Sequence, residues 1–209
     1  MTITFPRTFP DEIGSRFIGL SFRLQPMLEV SPTRGGKQIA ADLGPALWMG
    51  EFSTGLLTAA KFGIARAWID TLSSTQTFYG YDKLREYPLR GLPIGFSGAC
   101  TVSTFALPFA LTLAGLPAGF VLSPGDYVSF DYASGSSRAL HRVVAGGTAS
   151  GGGSLLLEVR PAIRSGLVAS QAATVFRSAA RMIILPDTYE ENITPPDFGQ
   201  LSFKAIQTL

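Results

Sequence analysis

Acid–base or nucleophilic chemistry in this chain would have to run through very few side chains, because the sequence holds a single histidine, His141, and a single cysteine, Cys100. A Ser-His-Asp or Cys-His arrangement needs a positioned base, and His141 lies in the run Ala139-Leu140-His141-Arg142-Val143-Val144, a strand pattern. With no GxSxG elbow in the chain, His141 is expected to be a packed or surface strand histidine. Asp126 and Asp131 suggest a carboxylate pair, but alternation places them on opposite faces of the strand they flank, and Pro124-Gly125-Asp126 is turn chemistry. Cys100 has no intramolecular partner, and no CxxC or Cys/His cluster is spaced to hold zinc. No P-loop, EF-hand or GxGxxG stands in usable context. Asn192-Ile193-Thr194 matches a glycosylation sequon, yet the stretch MTITFPRTFPDEIG has no basic region followed by an apolar run, so a plain loop asparagine is expected. The residues therefore assign no catalytic group, no metal ligand and no cofactor. The expectation is a protein that is not an enzyme and that folds in a reducing compartment.

The elements that would position these residues are mainly strands. Phe17 to Leu24 alternates, with Ile18, Leu20, Phe22 and Leu24 on one side, and Ala46 to Thr54 has strand character, while Ser31 to Gly36 is the punctuation between them. One helix is expected over 57–73, where Leu57, Ala60, Ile64, Trp68 and Leu72 recur at helical spacing. Lys61 falls inside that stripe and must snorkel. Phe62 and Ile69 fall outside it, which calls for a second contact surface. Gln76 to Asp82 returns to strand pattern, and Tyr87 to Gly95 breaks it. Further strands are expected at Ala110 to Leu113, Tyr127 to Tyr132, Ala139 to Ala145, Leu155 to Arg160, Ala180 to Leu185 and Gly199 to Gln207, with Gly151-Gly152-Gly153 at a hairpin tip. Between the last two, Pro186 to Phe198 reads as a long polar loop. The fold class is mainly β with one helix: a β-barrel or sandwich domain over 1–95 and 165–209, and an inserted small barrel or sandwich over 96–164.

Charge is scarce. Charged residues make up 15% of the chain against roughly 25% in an ordinary soluble domain, which favours an oligomer because interface centres are depleted of Lys, Glu and Asp. The net charge of +2 is too near balance for a nucleic-acid footprint. The uncharged stretch from Gly91 to Gly125 is cut by Pro93, Pro108, Pro117 and Pro124 into pieces shorter than the roughly 20 residues of a spanning helix, so no membrane partner is expected.

Several segments together resemble the distal tail proteins of long-tailed bacteriophages, prophages and gene-transfer particles. They are PALWMGEFSTG, AWIDTL with TFYGYD, GLPAGFVLSPGDYVSFDY with ALHRVV, LEVRPAIRSG, and ARMIILP with the closing SFKAIQ. They run over nearly all the chain from Pro45 onward, as packing and turn patterns rather than catalytic signatures. The resemblance implies a ring-forming virion tail protein, commonly a hexamer, assembled in the bacterial cytoplasm. It would join the tail tube protein to the hub and baseplate through an N-terminal β-barrel with a helix. Relatives with carbohydrate-binding inserts imply, as an alternative, a receptor-binding module, for which Tyr127 and Tyr132 are the candidate saccharide-stacking residues. A neighbouring tube or hub ring is a third reading. The candidate subunit contacts are Phe62 and Ile69 on the helix, with Asp187, Glu190, Glu191 and Asp197 in the acidic loop. Arg160, Arg164, Arg177 and Arg181 are the expected opposite charges.

Overall fold

A computed structural model describes residues 3–14, 17–72, 75–132, 135, 137–194 and 197–208. After a one-turn helix α1 (Asp11–Gly14), two long strands, β1 (Phe17–Pro32) and β2 (Gln38–Thr54), form an antiparallel hairpin. Then come β3 (Leu57–Thr58), the helix α2 (Ala59–Asp70) and β4 (Phe78–Gly80). The chain returns to the same sheet at its end with β13 (Ala180–Ile184), β14 (Glu190–Thr194) and β15 (Phe198–Gln207). The sheet runs β1-β2-β15-β13-β4, with β14 and β3 also paired to β15. Its core is aromatic: Phe9, Phe17, Phe52, Trp68, Phe78 and Phe203 are buried against one another. The segment before α1 closes the β4 edge, because Arg7 N–H donates to Thr77 O at 3.0 Å and Tyr79 N–H donates to Arg7 O at 2.8 Å.

Between those two passes the chain builds a closed six-stranded barrel. Its strands are β5 (Ala99–Ala106), β6 (Ala110–Ala114), β8 (Tyr127–Tyr132), β9 (Ser137–Ala145), β11 (Leu155–Arg160) and β12 (Gln171–Thr174). A short pair, β7 (Val121–Leu122) and β10 (Gly147–Thr148), stands beside it. Inward residues such as Val102, Leu111, Leu113, Val128, Phe130 and Val159 fill the barrel, in the alternation expected of a small closed barrel. The turn Ser150–Ser154 carries the triple glycine between β10 and β11, with Ser150 N–H donating to Ser154 O at 2.9 Å. β12 belongs to the barrel although it lies past the expected end of the insert at Arg164.

Four expectations need correction. The helix begins at Ala59 rather than Leu57, because Leu57 and Thr58 extend the sheet by pairing with Gly199 and Phe198. Its buried face is Phe62, Ala65, Trp68 and Ile69, while Ile64 is exposed. The apolar count favoured the stripe through Ala60 and Ile64, but Gly199 on β15 leaves a gap that the Phe62 ring fills; a Cβ there would lie 2.6 Å from that ring. Phe62 and Ile69 are thus buried against the chain's own sheet rather than facing a second contact surface. The expected loop from Pro186 to Phe198 contains β14, paired residue by residue with β15 from Glu190↔Ser202 to Thr194↔Phe198.

Candidate interaction surfaces

His141 is 2% exposed on β9, with its ring stacked on Phe130 at 5.2 Å. Its Nδ1 lies 3.0 Å from Pro161 O, so Nδ1 carries the proton and donates, while Nε2 is buried without a hydrogen-bond partner among the described residues. Burial pushes its pKa down to about 4, partly offset by the Pro161 carbonyl and reinforced by the Arg164 cation. Cys100 is buried in the barrel, and desolvation raises its thiol to about 12, which keeps it protonated at neutral pH. Asp126 is a structural acceptor: its oxygens take Leu89 N–H at 2.8 Å and Ser123 N–H at 2.7 Å. Asp131 pairs with Arg138 at 3.1 Å.

The two tyrosines proposed for saccharide stacking are both engaged. Tyr127 is buried at the junction of barrel and sheet, its ring against Trp48 and Phe22. Its hydroxyl accepts from Arg142 Nη2 at 2.6 Å and donates to Asp82 at 3.1 Å, and burial raises its pKa to about 12. Trp48 adds a second tie across the junction, donating Nε1–H to Leu140 O at 2.7 Å. Tyr132 packs on the barrel core, and its hydroxyl accepts from Arg164 at 3.2 Å. A cleft of about 740 Å³ nearby contains Arg138 and Arg177, but their charges are already matched by Asp131 and Glu86.

Of the acidic contact candidates, Glu191 is satisfied within the chain. Arg66 donates to both its oxygens, at 2.8 and 2.5 Å, and the Tyr189 hydroxyl donates to it as well. These hydrogen bonds, the one from Arg66 foremost, hold its carboxyl below the ordinary value. Asp187, Glu190 and Asp197 are exposed and make no ion pair among the described residues. Of the expected arginine partners, Arg160 pairs with Glu158, Arg177 with Glu86, and Arg164 with the Tyr132 hydroxyl.

The most unusual surface is one that alternation did not reveal. Beyond Gln25 and Leu47 the β1–β2 hairpin leaves the sheet and continues as a two-stranded ribbon to the turn at Thr33–Lys37. Leu28, Val30, Ile39 and Leu43 on it are 52, 52, 58 and 67% exposed. A strand half-buried in a sheet alternates, whereas a ribbon with neither face covered has no buried side to set a period of two. The extended length of Phe17 to Thr54 around one turn cluster was the available clue.

Comparison with family models and with curated proteins finds no match.

At its base the ribbon flanks a groove of about 350 Å³, where Met27 and Pro45 face Pro161, Ile163 and Arg164 of the barrel. No helix among the described residues is long and apolar enough to cross a membrane.

Proposed function

We propose that this chain is a structural subunit of a virus-like tail, forming a six-membered ring at the tail tip that joins the tube to the hub. The observation that carries the reading is the projecting ribbon. A two-stranded hairpin alone is marginally stable in water, and exposed apolar strands with open edges invite pairing with another chain. Leu28, Val30, Ile39 and Leu43 therefore belong under a partner's surface, and repeated identical subunits supply that partner in a closed cyclic assembly. The low charge content and the segment-by-segment resemblance to distal tail proteins support the same reading. In it, His141, Tyr127 and Tyr132 are packing residues and no chemical step is assigned.

The test is to replace Leu28, Val30, Ile39 and Leu43 together by Thr. The subunit should melt within a few degrees of the native protein, since these side chains touch no core, while rings seen by mass photometry and by imaging of intact tails disappear. A native protein that stays monomeric at high concentration and occupies no ring of the tail overturns the reading.

A further inference from the structure

The ribbon tip and the β14 hairpin are opposite in charge and alike in being uncovered. At the tip, Thr33 Oγ1 donates to Lys37 O at 2.8 Å, and Gly36 takes φ +80°, closing a tight turn that projects Arg34 and Lys37 into solvent. Neither cation makes an ion pair among the described residues. The ribbon's acids, Glu29 and Asp42, pair opposite Ala41 and Leu28, further from the turn. On the other surface β14 pairs, among the described residues, only with β15, which leaves its outer edge open among them. β14 itself carries exposed Glu190 and Ile193, exposed Asp187 and Asp197 lie in the segments before and after it, and exposed Phe198 opens β15; none of the three carboxylates makes an ion pair among the described residues.

Resting on the ring reading above, we infer that the ribbon of each copy docks along the β14 hairpin of its neighbour, with Arg34 and Lys37 against Glu190 and Asp197. The two patches are different parts of one chain, so the contact is heterologous and a rotation that closes makes a ring. Apolar ribbon residues covering Ile193 and Phe198 supply the affinity, and the charges fix register and discriminate against wrong pairings. Two ribbons meeting tip to tip would instead set cation against cation.

The inference predicts a pattern of charge reversal that a merely structural role does not produce. Variant one is R34E with K37E; variant two is E190K with D197K, leaving Asp187 unchanged because its φ of +59° is already strained and Glu191 because Arg66 holds it. Each variant alone places like charges across every contact, so ring formation should require about tenfold or more higher concentration, with the melting temperature of the subunit unchanged. Mixed one to one, the variants should regain rings of alternating copies, which an even-numbered ring allows, and the fourfold variant should assemble alone. Native mass spectrometry reads both. If the native protein forms rings but either variant alone forms them equally well, or the folded variants fail to complement, this contact is wrong while the ring reading stands. If the native protein is monomeric and its ribbon binds vesicles of anionic and zwitterionic lipid instead, both fail.

Discussion

The unpartnered Nε2 of His141 makes this residue a measurable liability in acid. Its folded pKa of about 4 lies below the ordinary histidine value of 6.5, so between those values the unfolded chain holds more protons than the folded one. Stability from the neutral imidazole is complete above about pH 6.5 and is lost as pH falls to about 4, by roughly 3 kcal/mol in all at 1.36 kcal/mol per unit. His141→Phe keeps the stack on Phe130 and removes the titration, so denaturant midpoints of the variant should fall less steeply over that window than those of the native protein. Parallel slopes would mean that the histidine is reached by water. The strand placement of His141 was legible from its neighbours, but its depth was not. Tyr127 illustrates the same limit, since the partners of its hydroxyl, Asp82 and Arg142, are 45 and 15 residues away in sequence.

At the scale of elements, the contact between α2 and β15 rests on the absence of one side chain. Gly199→Ala would bring a Cβ within 2.6 Å of the Phe62 ring, and relieving that overlap should cost on the order of 1–3 kcal/mol. A drop of several degrees in the thermal midpoint is the expected result, whereas Gly63→Ala on the open side of α2, where an added Cβ meets nothing, should raise it through helix propensity; a Gly199→Ala midpoint equal to the native one would mean that the helix is free to slide. The helix itself was legible from its periodicity, though not its buried face, because a missing Cβ on a distant strand decides that choice. β8 and β11 match their expected bounds at Tyr127–Tyr132 and Leu155–Arg160: β11 alternates between a packed interior and an outer face, whereas β8 is buried on both faces from Tyr127 to Phe130 and was legible from its aromatic content instead. β5, β12 and β14 were not singled out: β5 lay in an uncharged stretch read only as short strands and turns, and Glu190–Thr194 reads as loop until β15 is there to pair with it.

The barrel and the sheet have separate cores, yet barrel residues Tyr127 and Leu140 are buried in the sheet's core. With Trp48 bonded to Leu140 O and Gln207 Oε1 accepting from Trp48 N–H at 3.2 Å, neither part can unfold without exposing apolar surface of the other. Calorimetry should therefore record one transition whose calorimetric and van't Hoff enthalpies agree. Two resolved transitions would show that the junction is weaker than its burial implies. The mainly β class was legible from local patterns. The junction was not, because it joins residues from β2, β8, β9 and β15.

The strap formed by Arg7 over Thr77 and Tyr79 also bears on how growth stops. Pro6 and Pro10 on either side of it lack N–H groups and cannot donate to a ladder outward, so the strap beyond β4 is a poor template for another strand. In the proposed ring such a terminator would matter as much as the docking patches, since every additional sticky border offers a route to polymers without a fixed end. A truncation that starts the chain at Thr8 keeps the buried Phe9 but leaves Thr77 O and Tyr79 N–H unpaired. Compared with the native protein, that variant should sediment as a broader, concentration-driven ladder of larger species; a boundary identical to the native one would mean that the border is inert without its strap.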